Sequence, residues 1–294
     1  MTPASDRVAL VTGASAGIGL ETALGLARAG FRVVMAGRDA ARTELARVVV
    51  IERLGAGQSG GERIETALGD FASLAAVRSL AETVLGRHDR LDVLVNNAGL
   101  IAPRYQLSQD GYELTIAVNH LAPFLLTNLL LDRLRASAPG EAPASVQGRI
   151  ITVASQAHRG ERLDLRTWMN RDGWGPLQAY GRSKLCNILF TRALARRLAE
   201  RSVVAAALHP GVIATKIADS AGSVTGFGWW LAKPFLASPE RGARTTLFLA
   251  TTPDPARFHG AYLIDRKPAR PDPTALDDAL AEQLWVESAR LVGL

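Results

Sequence analysis

Short apolar runs rich in β-branched residues alternate along the chain with longer segments whose apolar positions recur with helical spacing. The short runs predict strands, and the longer segments predict helices. The predicted strands are residues 7–12, 32–36, 63–68, 91–96, 149–154, 203–208 and 260–264, and the predicted helices are residues 18–29, 40–54, 74–86, 111–135, 177–201, 239–251 and 273–291. No internal repeat and no low-complexity segment interrupts this alternation.

The regular alternation of strands and helices is typical of an α/β fold with right-handed crossovers and helices on both faces of a sheet. We predict one doubly wound parallel sheet of about seven strands in the order 3-2-1-4-5-6-7. Residues 136–147 are rich in Pro, Ala and Ser, but the alternation resumes directly after them. They therefore predict a surface loop inside a single domain spanning 1–294. The predicted helical tail, 273–294, carries Leu276, Leu280, Leu284 and Leu291 near one face.

The composition excludes several classes of protein. With 294 residues, 48% of them hydrophobic, the chain can bury enough apolar surface to fold. The single cysteine, Cys186, excludes an intrachain disulfide and a cysteine-cluster metal site, and we expect no metal. No 18 apolar residues follow one another, and the N-terminus lacks a basic region followed by an apolar segment. We therefore expect a cytoplasmic protein without a membrane anchor.

The net charge of +6 would suit a nucleic-acid partner, but the distribution of that charge does not. The arginines are spread along the chain, and no block of five basic residues occurs. No spacing typical of a helix-turn-helix or a zinc finger is present either. We therefore expect no nucleic-acid partner. A modest excess of positive charge also suits the binding of a polyanionic cofactor.

Three glycines, Gly13, Gly17 and Gly19, lie between the first predicted strand and the first predicted helix. Gly13 permits a tight turn, Gly17 lets the backbone approach a ligand, and Gly19 lets the helix pack close to the strand. The helix N-terminus would present free N–H groups and the positive end of its dipole to a pyrophosphate. The alternative is a glycine-rich turn that binds no ligand.

The spacing Gly-x-x-x-Gly-x-Gly occurs here together with Asn96-Asn97-Ala98-Gly99 after the fourth predicted strand and with Tyr180-Gly181-Arg182-Ser183-Lys184 on a predicted helix. These three motifs, in this order, resemble the short-chain dehydrogenase/reductase family. The resemblance runs over nearly the whole chain. It implies a Rossmann-type fold and an oxidoreductase that uses a nicotinamide cofactor.

A finer resemblance is to the retinol-dehydrogenase-like branch of that family. It rests on residues 118–127, on the continuation of the tyrosine motif through residue 191, on His209-Pro210-Gly211-Val212 and on Leu284-Trp285. Branch resemblance is less specific for the substrate than for the cofactor and the mechanism. Family members are often dimers or tetramers, so the resemblance leaves a homodimer or a homotetramer open.

The resemblance assigns the chemistry to four polar residues, Asn119, Ser155, Tyr180 and Lys184. A tyrosine hydroxyl can supply the proton for carbonyl reduction, and a nearby ammonium is expected to lower its pKa from about 10. Tyr180 and Lys184 are four residues apart, so they share one helix face. Ser155 directly follows the fifth predicted strand and can stabilise charge on a carbonyl oxygen. In the family, such an Asn holds a water that links the Lys to solvent.

The sequence departs from the family pattern next to Ser155. The usual Ser-Ser pair is Ala154-Ser155 here, and Tyr180 follows Ser155 by 25 residues, more than in many members. Residues 159–177 must therefore form a loop beside the active site. Three large side chains of that loop could contact substrate or anchor the loop to the core: Trp168, Met169 and Trp174.

The end of the second predicted strand indicates which cofactor binds. An acidic residue there would hold the ribose 2′-OH of NAD, but this chain has Gly37 followed by Arg38. A guanidinium can bind a 2′-phosphate, so we predict NADP(H), with an Arg38 paired to Asp39 as the alternative. The full set of predicted cofactor contacts is Gly13, Ser15, Ala16, Gly17, Ile18, Gly19, Arg38, Asp70, Phe71, Asn97, Ala98, Gly99, Tyr180, Lys184, Pro210, Gly211, Val212 and Thr215.

Residues 213–236 combine glycines with aromatic residues, which suits a mobile apolar cover over a substrate or, equally, a core or dimer contact. We therefore predict an NADP(H)-dependent enzyme that interconverts a carbonyl and an alcohol on a lipophilic or aromatic small molecule. The alternative is a non-catalytic NADP-binding regulator with the same fold. The presence of both Tyr180 and Lys184 favours the enzyme.

Overall fold

Eight strands form one sheet in the computed structural model, which describes residues 7–55, 61–136, 148–198, 202–211 and 238–294. The strands are β1 (Val8–Thr12), β2 (Arg32–Gly37), β3 (Ile64–Leu68), β4 (Val93–Asn96), β5 (Gly148–Val153), β6 (Val203–His209), β7 (Tyr262–Ile264) and β8 (Lys267–Pro268). Their order in the sheet is 3-2-1-4-5-6-7-8. The predicted doubly wound arrangement of the first seven strands is therefore confirmed.

The predicted count of seven strands was one short. β8 pairs antiparallel with β7, with Leu263 opposite Pro268 and Ile264 opposite Lys267. The two residues between them, Asp265 and Arg266, both have positive φ, as a tight hairpin requires. A two-residue strand is too short to show any periodicity in the sequence, and its proline is tolerated because β8 lies at the edge of the sheet.

Helices cover both faces of the sheet. They are α1 (Gly17–Arg28), α2 (Ala40–Leu54), α3 (Leu74–Arg87), α4 (Leu114–Ala136), α5 (Pro176–Arg197), α6 (Pro239–Thr251) and α7 (Asp278–Val292). One hydrophobic core lies between the sheet and α3, α4, α5 and α7, and a second lies under α1, α2 and α6. The strands β1, β4, β5 and β6 are buried along their whole length, as expected for parallel strands covered on both faces.

Three helix boundaries differ from the predicted ones, and side-chain caps explain two of the differences. α4 begins at Leu114, not at 111, since Gly111 has a φ of +82° and Glu113 caps the helix. The predicted helix 177–201 ends at Arg197. The predicted tail helix 273–291 is divided into a 3₁₀ turn, Pro273–Leu276, and α7, each with its own aspartate cap.

α7 packs across α4 and α5. The ring of Trp285 lies 4.9 Å from the ring of Phe124 on α4 and 5.9 Å from that of Phe190 on α5. Three arginines of α5 form ion pairs with two acidic residues of α7, and the five residues are Arg192, Arg196, Arg197, Asp278 and Glu282. Apolar contact and charge together therefore fix the tail on the helical layer.

α4 is long and apolar enough to cross a membrane by length and composition. In the structure 78% of its most apolar stretch is buried inside the protein, which is also what a core helix of a water-soluble domain shows. The helix is thus weak evidence on membrane association. Of the predicted loop 136–147, Ala136 ends α4 and the rest lies outside the described residues, as does the segment 213–236.

The loop that precedes α5 is anchored by two of its tryptophans. Trp168 is buried, and its ring lies 6.0 Å from the ring of His120 on α4. Trp174 donates from Nε1 to the carboxylate of the buried Glu113 at 3.2 Å. Met169 packs partly buried against the core, and its carbonyl accepts from the Tyr105 hydroxyl at 3.0 Å. These contacts favour the anchoring role over contact with substrate.

Candidate active site

A cavity of about 680 Å³ opens where β1, β2, β3 and β4 end at the carboxyl edge of the sheet. Parallel strands bring the turns that follow them to this edge, so residues far apart in sequence meet there. The predicted cofactor contacts that line the cavity are Gly13, Ser15, Ala16, Gly17, Ile18, Gly19, Arg38, Asp70, Phe71, Asn97, Ala98 and Gly99. The structure therefore brings these twelve residues together around one space.

The glycine-rich turn has no room for side chains. Gly13 and Gly17 have φ values of +66° and +58°, which L-residues rarely adopt. A Cβ atom on Gly19 would lie 2.3 Å from the carbonyl oxygen of Gly13. Among the described residues, no side chain caps the N-terminus of α1, so the first N–H groups of that helix have no side-chain acceptor there. The turn and the helix end thus form an anion-binding concavity at the cavity wall.

Thr12 and Asn97 lock the ends of β1 and β4 together. The Thr12 hydroxyl accepts from the backbone N–H groups of Asn97 and Ala98, each at 3.0 Å. It also donates to the carbonyl of Val95 at 3.1 Å. In return, the Asn97 amide donates to the carbonyl of Thr12 at 2.8 Å. This reciprocal set holds the glycine-rich turn beside the Asn97-Ala98-Gly99 turn.

Arg38, which follows the end of β2, does not pair with the neighbouring Asp39. The Asp39 carboxylate accepts from the backbone N–H of Arg42 at 2.9 Å and so caps α2. Within the part of the chain that the structure describes, Arg38 is exposed and forms no ion pair with Asp39. Arg42 lines the cavity as well. Two arginines therefore line this wall of the cavity, and only Arg38 was among the predicted contacts.

Gly37 is a glycine for a steric reason. A Cβ atom there would lie 2.2 Å from the Thr43 hydroxyl oxygen, which itself donates to the carbonyl of Asp39 at 2.6 Å. An acidic side chain at this position would have to displace that hydroxyl. The absence of a carboxylate at the end of β2 thus follows from how α2 packs on the strand.

Tyr180 and Lys184 lie on one face of α5, as the four-residue spacing predicts. The Lys184 ammonium is buried, donates to the carbonyl of Val153 at 2.9 Å, and lies 5.4 Å from the centre of the Tyr180 ring. Burial lowers the pKa of Lys184 to about 8. This ammonium was expected to lower the pKa of Tyr180, but burial raises that pKa instead, against the effect of a hydrogen bond with Ser155. Desolvation therefore outweighs the nearby groups at this phenol.

Ser155 lies directly beyond β5 with its hydroxyl proton available. Its Oγ accepts from the backbone N–H of Ala157 at 3.2 Å, and the side chain is partly exposed. Since the hydroxyl accepts from that N–H, it can donate its own proton elsewhere. Ser155 is near enough to Tyr180 to lower the pKa of that phenol against the effect of burial.

Asn119 ties α4 to the turn after β4. It lies in a π-helical turn, Ala117–Leu121, within α4. Its Oδ1 accepts from the N–H of Leu100 at 2.8 Å, and its Nδ2 donates to the carbonyl of Leu100 at 3.0 Å and to Ser183 Oγ at 2.9 Å. Both amide protons are used, so only Oδ1 keeps capacity for a water molecule.

Gly99 lines the cavity and also lies beside Asn119 and Lys184. A Cβ atom there would lie 3.2 Å from Asn119 Oδ1 and 3.6 Å from Lys184 Nζ.

Pro210 and Gly211 follow β6 outside the cavity lining, and Val212 and Thr215 lie outside the described residues. The lining that the sequence analysis did not assign is Gly37, Asp39, Arg42, Gly69, Ala72, Leu100, Leu114, Val118 and Pro239. Leu114 and Val118 share a face of α4, a signal that helical spacing could have supplied.

The sequence matches a known family profile and several known relatives. The profile described as short chain dehydrogenase matches residues 7–225. Retinol dehydrogenase 13 from Homo sapiens is 38% identical over 98% of this chain and 85% of its own. Retinol dehydrogenase 14 from Mus musculus is also 38% identical, over 98% of this chain and 86% of its own.

Solved structures also resemble this chain over most of its length. An uncharacterised protein from Mycobacterium Paratuberculosis has a TM-score of 0.75 and 34% identity, covering 98% of this chain and 94% of its own. The Pseudomonas aeruginosa RhlG/NADP active-site complex has a TM-score of 0.67 and 27% identity, covering 88% and 94%. The chain therefore belongs to the short-chain dehydrogenase/reductase family and is an oxidoreductase. Within that family it falls in the retinol-dehydrogenase-like branch.

Proposed function

We propose that this protein is an NADP(H)-dependent carbonyl reductase or alcohol dehydrogenase acting on a lipophilic or aromatic small molecule. The observation that carries the proposal is the position of the buried Lys184 ammonium, which lies beside Gly99 in the cavity wall and 5.4 Å from the Tyr180 ring. Its partner, the carbonyl of Val153, ends the strand that leads to Ser155. A hydroxyl pair next to a buried ammonium is suited to move a proton to or from an oxygen.

The residues at the end of β1 fit a dinucleotide. The glycine-rich turn leaves space that any Cβ atom would fill, and the uncapped end of α1 presents N–H groups to a pyrophosphate. Residues from the glycine-rich turn to Gly99 would hold the cofactor along the cavity. When bound, the nicotinamide supplies or accepts the hydride.

Side chains of the protein would provide the hydrogen bonding and the proton transfer. Ser155 donates a hydrogen bond to the substrate oxygen, which stabilises the negative charge that develops during reduction. Tyr180 gives its hydroxyl proton to that oxygen, or takes one in the direction of oxidation. Lys184 stabilises the phenolate that remains, and its contact with Val153 O holds the ammonium in place. Asn119 fixes Leu100, and with it the turn between the cavity and the catalytic group.

Arg38 and Arg42 support NADP(H) over NAD(H). Both line the cavity at the end of β2, where the adenosine ribose of a bound dinucleotide would lie. The neighbouring carboxylate, Asp39, is engaged as the cap of α2. A guanidinium binds a phosphate with two parallel hydrogen bonds, so a 2′-phosphate fits this wall. RhlG was solved with NADP, and a blue fluorescent protein from a metagenomic library, 28% identical with a TM-score of 0.65, with NADPH.

An apolar residue on the catalytic face supports a lipophilic substrate. Leu177 lies one helical turn before Tyr180 and leaves 65% of its surface exposed. Leu100, which is partly exposed, lines the cavity. The relatives named retinol dehydrogenases bear the name of a lipophilic alcohol. The cytoplasmic location, the lack of an anchor, the single domain and a homodimer or homotetramer stay predictions.

A panel of aldehydes and ketones with NADPH tests the proposal by the loss of NADPH absorbance. We expect turnover by the wild type, and a fall in kcat of roughly 10²–10⁴-fold for Tyr180→Phe, which removes the general acid. NADPH binding should be retained. Tyr112→Phe is the matched control, because its hydroxyl bonds to the carbonyl of Leu291, away from the cavity. NADPH binding without turnover of any carbonyl would instead favour a non-catalytic regulator.

A further inference from the structure

His158 is buried directly behind Ser155, and both nitrogens of its ring have protein partners. Nε2 accepts from the backbone N–H of Asp272 at 3.0 Å. Nδ1 lies 2.6 Å from the backbone carbonyl oxygen of Ser155. Because an N–H can only donate, Nε2 carries no proton and Nδ1 donates to that carbonyl. One neutral tautomer therefore satisfies both hydrogen bonds.

The carbonyl of Ser155 accepts a second hydrogen bond from the same residue. The backbone N–H of His158 lies 3.3 Å from it, which closes the 3₁₀ turn Gln156–His158. The Ser155 hydroxyl meanwhile accepts from Ala157 N–H in that turn. A bond to this carbonyl restrains the backbone at Ser155, and so restrains the position from which the hydroxyl projects.

The tail of the chain holds His158 from the other side. The Asp272 carboxylate accepts from the N–H groups of Gly160 at 3.1 Å and Thr274 at 3.0 Å. The Tyr262 ring on β7 packs edge-on against the imidazole, with 5.3 Å between ring centres. The imidazole is thus clamped between the turn after β5 and a segment more than a hundred residues later in the chain.

The turn Gln156–His158 packs against α5, the helix that carries Tyr180. A Cβ atom on Gly181 would lie 2.6 Å from the carbonyl oxygen of Ala157. This turn therefore packs in direct contact with α5. A change in the turn therefore alters the distance between the Ser155 and Tyr180 hydroxyl groups.

We propose that His158 is a positioning residue for the reaction, which directs the Ser155 hydroxyl toward Tyr180 through its hydrogen bond to the Ser155 carbonyl. The bond to Asp272 N–H holds the imidazole in the tautomer that makes this donation. The proposal rests on the proposed function, since it assumes that Ser155 acts on the substrate oxygen.

Two conservative variants separate the two hydrogen bonds. In His158→Asn the amide nitrogen can occupy the place of Nδ1 and donate to Ser155, but nothing reaches Asp272. In His158→Gln the longer amide can replace Nε2 at Asp272, but the donor to Ser155 is lost. We expect kcat of His158→Gln and of His158→Ala to fall about 10- to 100-fold, because small misplacements of reacting groups are costly. His158→Asn should restore most of kcat while its Tm falls.

A second measurement needs no turnover. The bond with Ser155 lowers the pKa of Tyr180 against the effect of burial, so loss of that bond should raise this pKa further. The ionisation of Tyr180 is read as the difference in tyrosinate absorbance between each variant and the same variant with Tyr180→Phe. We expect a higher Tyr180 pKa in His158→Gln and His158→Ala, and a value near the wild type in His158→Asn.

His259 supplies the matched control. It also joins two backbone groups, accepting from Ala205 N–H at Nδ1 and contacting the carbonyl of Ala195 at 2.8 Å, but it lies away from Ser155. His259→Gln should lower Tm and leave kcat and the Tyr180 pKa unchanged. Equal kcat and equal Tyr180 pKa in the Asn and Gln variants of His158 would overturn the proposal. A wild type that turns over no carbonyl would overturn the proposed function, and the tyrosine titration would still decide the role of His158.

Discussion

At the scale of single residues, the charges at the end of β2 decide the cofactor preference under the proposed function. Arg38 and Arg42 line one wall of the cavity, while Gly37 carries no carboxylate to repel a phosphate. A hydrogen bond between a charged group and its partner is worth about 1.5–3 kcal/mol. That range corresponds to a preference for NADPH over NADH of roughly ten- to a hundred-fold or more.

We predict that Arg38→Ala raises KM for NADPH by about ten- to a hundred-fold and leaves KM for NADH nearly unchanged. Steady-state kinetics with both cofactors measure this. Arg42→Ala shows whether the second guanidinium shares the phosphate. Gly37→Asp is a poor test, since its Cβ would lie 2.2 Å from Thr43 Oγ1 and disturb α2. A wild type that uses both cofactors equally well would contradict the assignment.

The buried ammonium of Lys184 gives a stability prediction with a definite sign. Its pKa is about 8 in the folded protein and about 10.4 in an unfolded chain, so between these values the unfolded state binds more protons. The free energy of unfolding therefore rises with pH across this window. Relative to Lys184→Met, wild type should gain roughly 3 kcal/mol between pH 8 and pH 10.5. Denaturant unfolding of both proteins at several pH values measures the difference, and a constant difference would refute the prediction.

At the scale of elements, the packing of α7 depends strongly on one side chain, Trp285. Trp285 stacks on Phe190, contacts Phe124 and lies beneath the guanidinium of Arg197 at 4.1 Å. We predict that Trp285→Ala lowers the free energy of unfolding by roughly 2–4 kcal/mol. Val286→Ala, next in sequence but 66% exposed, should change it by less than about 0.5 kcal/mol. Similar losses in both variants would show that α7 contributes little through this contact.

At the scale of the whole molecule, the cavity joins turns from four strands, so an occupant couples them. A ligand that binds only the folded state stabilises it by about 2.7 kcal/mol at a hundredfold excess over Kd. We predict that NADPH raises Tm by several degrees and that NADH at the same concentration raises it much less. A thermal-shift titration measures both. The difference should vanish in Arg38→Ala, and equal shifts in the wild type would contradict the preference.

Much of the fold could be read from local patterns. The seven parallel strands followed from the strand–helix alternation, and their order followed from the arrangement typical of doubly wound folds. The two-residue β8 could not be read, because it is shorter than one period of any pattern. The division of the tail into Pro273–Leu276 and α7 depended on aspartate caps rather than on hydrophobic spacing.

The candidate site could be read in part. The motifs carried Tyr180, Lys184 and the glycine-rich turn, since each is local in sequence and keeps its spacing on one element. Arg42 lies one helical turn beyond Arg38, so the sequence alone could place it at the same wall. Pro239 belongs to the cavity only because segments far apart in sequence end at one edge of the sheet. The role proposed for His158 depends on a contact with Asp272, 114 residues later, which no spacing reveals.

The sequence by itself determined the alternation of elements, the turn chemistry and the face shared by Tyr180 and Lys184, because these depend on neighbours within a few residues. Only the tertiary structure decided the protonation behaviour of the site. Burial lowers the pKa of Lys184 and raises that of Tyr180, opposite to what the charge of the pair suggested for the tyrosine. Desolvation is a property of everything packed around a group, and a sequence does not state what surrounds each side chain.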